Sequence, residues 1–185
     1  MNCTCCNEGR LQPQLLDGLF KADVCDYCGG VWVLTEHFVG WKAENPDQLL
    51  MSDLMIEEIE ATDTQHAIAC PISGRLMRKL KISTDVPHRI DYSAAVGGIW
   101  LDKGEWELIK ASGLADILNT LVTQHWQDKV KSDKTKQNFE KHYIEKFGAE
   151  NYRRLREIRD WLAEQENAAE LKDYLLASDP YTTKR

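Results

Sequence analysis

Residues 25–32 read Cys-Asp-Tyr-Cys-Gly-Gly-Val-Trp, and residues 93–100 read Ser-Ala-Ala-Val-Gly-Gly-Ile-Trp. Both stretches end on two glycines, a β-branched residue and a tryptophan. A pattern that recurs in this way is typical of an internal repeat, in which each copy forms one structural unit. The sequence therefore predicts two related modules, one around each pair of glycines.

Each copy also has a matching element upstream of its glycines. Residues 3–6 read Cys-Thr-Cys-Cys, and residues 70–73 read Cys-Pro-Ile-Ser. The distance from the first residue of each element to the start of its glycine-containing stretch is 22 positions in the first copy and 23 in the second. This agreement indicates that the two copies align along their whole length.

The first copy carries two C-x-x-C pairs, Cys3 with Cys6 and Cys25 with Cys28. Four thiolates at this spacing form the closed tetrahedral shell of a structural zinc site. We therefore predict one structural Zn²⁺ per chain, held by these four cysteines. Cys5 could replace Cys3 or Cys6 as a ligand, but the two-residue spacing favours Cys3 with Cys6 and leaves Cys5 as a spare thiol.

A hairpin is predicted between the two cysteine pairs. Asp17-Gly18 lies between short apolar runs, and this dipeptide is a strong hairpin signal. In the second copy, residues 76–82 and 88–92 are the corresponding candidate strands. Two cysteine pairs joined by a hairpin describe a zinc ribbon.

Residues 96–105 read Val-Gly-Gly-Ile-Trp-Leu-Asp-Lys-Gly-Glu, and Cys70-Pro71 lies upstream of them. With this motif the chain resembles the transcription factor IIB-type zinc ribbon family of bacterial proteins, whose pattern is C-P-x-C, a hairpin, then C-x-x-C-G-G-I-W-L-D-x-G-E. The resemblance covers roughly the first 106 residues, in two incomplete copies. It implies a link to transcription or to nucleic-acid machinery.

The second copy departs from this pattern at three of its four ligand positions, where it has Ser73, Ser93 and Val96. Two neutral hydroxyls and a valine cannot complete a zinc shell, so we expect this copy to bind no metal. An improvised site would have to combine the other ligating side chains nearby: Cys70, His66, His88 and Asp91.

The expected fold class is α+β, with tandem zinc-ribbon-like β modules followed by a C-terminal helical module. The expected boundaries are a zinc ribbon at 1–42, a linker helix at 43–65, a degenerate ribbon at 66–106 and a helical module at 107–185. Asn45-Pro46 is a helix-start signal, which predicts a helix from Asn45 to Glu60. Further helices are predicted at about 135–147, 150–165 and 167–177.

Asp102 and Glu105 are paired carboxylates within the glycine-tryptophan motif. We interpret them as a capping box, in which Asp102 accepts from the Glu105 N–H and the Glu105 side chain reaches back to the Asp102 N–H. A catalytic role for the pair is the weaker interpretation.

Composition and charge limit the classes of partner. The 185 residues are 43% hydrophobic, and no apolar run is long enough for a membrane helix. Four of the six cysteines have metal-ligand spacing, which indicates a reducing compartment, so we expect a soluble, cytoplasmic protein. The net charge is −7, and residues 1–65 alone carry −9. Because non-specific nucleic-acid binding depends on Lys and Arg, we expect only weak binding to DNA or RNA.

The predicted function is that of a zinc-binding, non-enzymatic adaptor or scaffold with a protein partner. The sequence contains no nucleophile with a partnered base, no phosphate loop and no open-coordination metal motif. The alternative is a zinc-gated thiol switch or a chaperone-like protein, in which Cys5 would be the reactive thiol.

Overall fold

The computed structural model describes residues 1–181, and its centre is one antiparallel sheet of six strands. The spatial order of the strands is β1-β2-β3-β6-β5-β4. Their bounds are Leu11–Leu16 (β1), Phe20–Cys25 (β2), Val31–Leu34 (β3), Arg78–Lys81 (β4), Arg89–Ser93 (β5) and Gly98–Leu101 (β6).

The internal repeat is visible in the order of the strands. The first copy supplies β1 to β3, the second supplies β4 to β6, and the two halves join where β3 pairs with β6. Trp32 lies opposite Trp100 in this pairing, and Val33 lies opposite Ile99. The two equivalent tryptophans therefore face each other at a local two-fold axis in the centre of the sheet, and the residues on either side of them pair symmetrically about it.

The repeated glycines make this central contact possible. A Cβ atom on Gly30 would collide with the ring of Trp100, and a Cβ atom on Gly98 would collide with the ring of Trp32. Each indole therefore lies on the glycine of the other copy. This reciprocal packing explains why a glycine and a tryptophan occur at the same spacing in both copies.

The hairpin predicted at Asp17-Gly18 joins β1 to β2. Asp17 has a φ angle of 50° and Gly18 a φ angle of 73°, so both adopt the left-handed conformation that Asp and Gly tolerate best. The Asp17 carboxylate also accepts hydrogen bonds from the Trp106 indole at 2.7 Å and from Lys110 Nζ at 2.6 Å. The turn is thus attached to the helix that follows the second copy.

The helices are Thr35–Glu44 (α1), Glu105–Ala111 (α2), Leu118–Leu121 (α3), Gln124–Phe147 (α4), Ala149–Ala163 (α5) and Ala168–Leu176 (α6). Each half of the sheet is followed directly by a helix, α1 after β3 and α2 after β6. The predicted C-terminal helices are present, and the one predicted at 135–147 is the second half of α4.

The predicted linker helix from Asn45 to Glu60 is wrong. Asn45 instead ends α1, where its backbone N–H bonds to Trp41 and Lys42 carbonyls and its side-chain amide donates to the Trp41 carbonyl at 2.9 Å. Between Asn45 and Glu60, only the single 3₁₀ turn Ile56–Glu58 is helical. A tertiary contact holds this segment instead, since Leu50 N–H donates to the Asp116 carboxylate at 3.4 Å.

The core has two parts, one on each face of the sheet. Val31 and Val33 belong to the larger cluster, which includes side chains of α1, α2 and α3. Trp32, which lies between them in β3, belongs to the smaller cluster, which also contains the cysteines. This division follows from the alternation of side chains along a strand.

The chain divides into two compact units, residues 1–134 and 135–185. The first contains the whole sheet, and the second contains the end of α4 with α5 and α6. The α+β class is therefore confirmed, and the two predicted β modules share one sheet. Among the helices of residues 1–181, none combines the length and the apolarity needed to cross a membrane.

Candidate metal centre

The four predicted cysteines lie in two turns at one end of the first half of the sheet. Cys3 and Cys6 precede β1, whereas Cys25 ends β2 and Cys28 lies in the turn to β3. Each turn is closed by a hydrogen bond to the carbonyl of its first cysteine, from Asn7 N–H at the first turn and from Gly29 N–H at the second. The two turns are brought together by the β1–β2 hairpin, as the spacing predicts.

The sulfur atoms have the spacing of a tetrahedral shell. Cys3 Sγ lies 3.8 Å from Cys28 Sγ, and Cys6 Sγ lies 3.7 Å from Cys25 Sγ. Four sulfurs at about 2.3 Å from one ion lie about 3.8 Å apart. All four sulfur atoms lie within 4.8 Å of one another, so together they can hold one metal ion.

Backbone donors point at the sulfurs. Gly9 N–H lies 3.3 Å from Cys6 Sγ, and Cys28 N–H lies 3.5 Å from Cys25 Sγ. Burial opposes ionisation of Cys6, but backbone N–H groups such as that of Gly9 lower its pKa to about 7. Burial raises the pKa of Cys28 to about 12 and that of Cys3 further. Thiols that are this close and this buried ionise together only beside a compensating cation.

Cys5 lies outside the four-sulfur group. Its thiol contacts Thr64 Oγ1 at 3.5 Å and Asp102 Oδ1 at 3.7 Å. Burial raises its pKa to about 11. The thiol that the sequence leaves as a spare therefore connects the first cysteine turn to the segment around Thr64.

The second copy keeps the turn without the ligands. Gly74 N–H donates to the Cys70 carbonyl at 2.9 Å, as Asn7 does at Cys3, and Ser73 N–H lies 3.3 Å from Cys70 Sγ. Burial opposes ionisation of Cys70, whereas the hydroxyls of Ser73 and Ser93 lower its pKa. Val96 packs in the same cluster. A hydrogen-bonded thiol and an apolar side chain thus occupy the position of the sulfur shell.

The residues proposed for an improvised site around Cys70 do not meet there. His66 is exposed, and Asp91 is buried and forms an ion pair with Lys79 at 2.8 Å. His88 instead belongs to a different group, with Asp63 and Glu105. Sequence reasoning misses this group because its members come from three separate segments and have no common spacing.

The predicted capping box is half correct. Glu105 Oε2 accepts from the Asp102 N–H at 2.9 Å, as predicted. The Glu105 N–H, however, donates to the Asp102 carbonyl, and the Asp102 carboxylate accepts from the Trp100 indole at 2.8 Å and from the Thr64 N–H. The Asp102 carboxylate therefore binds Trp100 and the backbone at Thr64, and it does not cap the N-terminus of α2.

Comparison with known proteins finds no relative of this chain. No protein-family model matches the chain, and neither a curated protein nor a solved structure matches it significantly.

Proposed function

We propose that this chain is a zinc-binding adaptor without enzymatic activity. In this proposal the four N-terminal cysteines hold one structural Zn²⁺ in a ribbon of the transcription factor IIB type, and the helical unit binds a protein partner in a reducing compartment such as the cytoplasm.

The sulfur spacing of 3.7 and 3.8 Å supports zinc as the ion. Four thiolates occupy every position of a tetrahedral shell, so no position is left for a substrate or for an activated water. Such a closed shell favours a structural role over a catalytic one.

Metal analysis of matched variants tests the zinc assignment. We expect one thiolate-bound zinc per chain, lost in Cys28→Ser and retained in Cys70→Ser, because only the first copy supplies four thiolates. Zinc loss in both variants, or in neither, would contradict the assignment. Quantitative alkylation of Cys25 and Cys28 in zinc-loaded protein would favour the thiol switch instead.

The adaptor role rests on one observation, the apolar side chains that α5 exposes. Leu155, Ile158 and Trp161 are 50%, 45% and 51% exposed. Their spacing of three residues places them within about a third of the helix circumference. An exposed apolar stripe of this kind is typical of a helix face that binds a partner.

The charges of α5 favour a protein partner over a nucleic acid. Its four arginines are Arg153, Arg154, Arg156 and Arg159, and each forms an ion pair with a carboxylate. Arg153, for example, lies 2.8 Å from Glu150 and 2.9 Å from Glu157. The neighbouring carboxylates offset most of this positive charge, which weakens its attraction for phosphates.

Quantitative affinity capture from extracts of the host tests this role. We expect a partner that survives nuclease treatment, is recovered with the parent protein and with Ala163→Lys, and is lost with Ile158→Lys. Ala163 is exposed in α5, about 140° around the helix from Ile158, so its replacement adds the same charge away from the stripe and serves as the matched control. Partners that disappear on nuclease treatment would contradict the proposal.

A further inference from the structure

A second group of ligating side chains lies apart from the cysteines. Asp63, His88 and Glu105 each offer one ligand atom, and these atoms lie within 4.8 Å of one another. They come from the segment before the second copy, from the residue before β5 and from the first residue of α2. Donor atoms around one divalent cation at about 2.2 Å lie at most about 4.4 Å apart, so the group is close to the required spacing.

Glu105 supplies an independent sign that a ligand is missing from this group. Its side chain is fully buried, and within residues 1–181 its Oε1 atom has no hydrogen-bond partner. Its other oxygen, Oε2, accepts from the Asp102 N–H at 2.9 Å, which fixes the direction of the carboxylate. Oε1 is directed at His88, whose Nδ1 atom lies 3.5 Å away.

Asp63 repeats this pattern. Its Oδ2 atom accepts from the Gln65 side chain at 2.9 Å, whereas its Oδ1 atom is buried and has no partner in the described part of the chain. Its backbone position is fixed on both sides, because Thr62 N–H donates to the Lys103 carbonyl and Thr64 N–H donates to Asp102. Both carboxylates of the group therefore have one buried oxygen without a hydrogen-bond partner in the described part of the chain.

Acidic side chains are concentrated around this group. Burial raises the pKa of Glu105 to about 9, and the neighbouring charges of Asp102, Asp63 and Asp91 raise it as well. Ionisation of a carboxyl group in such surroundings costs free energy, and coordination of a metal is a common way in which proteins offset that cost.

We infer that Asp63, His88 and Glu105 form a second metal site, which binds a divalent cation that prefers oxygen and nitrogen ligands, of the Mn²⁺ or Fe²⁺ type. Two carboxylates and one imidazole match this class, whereas thiolates select zinc. The His88 Nδ1 atom also lies 3.2 Å from the Thr62 carbonyl oxygen, so this carbonyl is near enough either to orient the imidazole or to add a ligand. Water fills the remaining coordination positions.

Titration of the zinc-loaded full chain with Mn²⁺ tests the inference. The free ion has a strong electron paramagnetic resonance signal that disappears on binding, and Mn²⁺ has little affinity for the thiolate site. We expect one saturable Mn²⁺ per chain, with affinity reduced at least about tenfold in Glu105→Gln and in His88→Gln. Glu107→Gln is the matched control on the same helix, because Glu107 is 39% exposed and lies 3.5 Å from Lys110.

Two readouts distinguish loss of the site from loss of the fold. Each variant must retain its thiolate-bound zinc, and in the parent protein bound Mn²⁺ must broaden the ring resonances of His88. Absence of saturable binding, equal weakening by Glu107→Gln, or unbroadened His88 resonances would overturn the inference. None of these measurements depends on the proposed protein partner, so the two proposals can fail separately.

Discussion

Gly30 and Gly98 occupy equivalent positions in the two copies, and each supports the indole ring of the other copy. Neither glycine has the left-handed backbone that usually requires glycine. The requirement is spatial, since the flat ring of Trp100 covers the place where a Cβ atom of Gly30 would be.

Alanine at these positions should therefore destabilise the protein by overpacking. We expect Gly30→Ala and Gly98→Ala each to lower the free energy of unfolding by about 1–3 kcal/mol or more, measured by chemical denaturation of the zinc-loaded protein. Gly40→Ala is the control, because a Cβ atom at Gly40 meets open space in α1. It should raise stability by about 0.5–1 kcal/mol, through helix propensity. Equal effects at Gly30 and Gly40 would contradict this account of the glycines.

The ion pair of Asp91 with Lys79 allows the free-energy cost of a buried, unpaired charge to be measured. Its side chain is 1% exposed and its Oδ2 atom lies 2.8 Å from Lys79 Nζ. Lys79→Met should cost roughly 3–5 kcal/mol of stability, because it leaves the carboxylate without its cation. Arg154→Met should cost less than about 1 kcal/mol, because Arg154 is 68% exposed although it is also ion-paired. The same denaturation measurement checks both, and similar losses would mean that Asp91 is better solvated than its burial implies.

At the scale of secondary-structure elements, the sequence predicts those turns and strands whose formation depends on residues close together in the chain. The cysteine turns, the hairpin around Asp17-Gly18 and the two strands β4 and β5 follow from local patterns, and the structure contains them. Helix α1, which the local pattern does not predict, follows from the repeat, since α2 occupies the same place after the second copy. The repeat therefore carries more structural information than the local pattern around Thr35–Glu44.

Prediction from the sequence is wrong or incomplete where contacts between residues far apart in the chain determine the structure. Asn45 has the residue type of a helix start, but the segment after it forms no α-helix and is held by contacts such as that of Leu50 N–H with the Asp116 carboxylate at 3.4 Å. The group of Asp63, His88 and Glu105 is likewise invisible in the sequence, because sheet pairing and the buried Asp102 bring its three segments together. No motif spacing links these three segments in the sequence.

The equivalence of the two copies predicts that the second can be converted into a metal site. Ser73→Cys, Ser93→Cys and Val96→Cys together should create a second thiolate site with Cys70. The turn at Cys70 already has the hydrogen bond found at Cys3, and Ser93 is placed against Cys70. Cobalt titration should then give about twice the thiolate charge-transfer absorbance of the parent protein.

The control for this conversion keeps Val96 and changes only the two serines. That variant offers three thiolates, so its second site should bind cobalt more weakly. If the triple variant gained no absorbance, the second copy would have lost the ribbon geometry as well as the ligands.

At the scale of the whole molecule, the two halves of the sheet differ in what stabilises them. The first half has the candidate zinc shell, whereas the second has fully buried apolar side chains such as Ile90 and Ile99. Within the sheet, the halves are hydrogen-bonded to each other along β3 and β6, where four residue pairs are in register. A change at the metal centre can therefore reach the second half through that strand pair, and also through the contacts of Cys5 with Thr64 and Asp102.

Removal of zinc should unfold the first half and leave most of the second. Structural zinc contributes about 10–16 kcal/mol in small ribbons, which is as large as the total stability of a typical domain. Hydrogen exchange after chelation, or in Cys28→Ser, should show lost protection in β1 and β2, partial loss in β6 and retained protection in β4 and β5. Cys70→Ser should leave the protection of β1 and β2 unchanged, because it removes no zinc ligand. If β4 and β5 lost protection together with β1 and β2, the zinc would be stabilising the entire sheet, and the apolar core around Ile90 would not maintain the second half by itself.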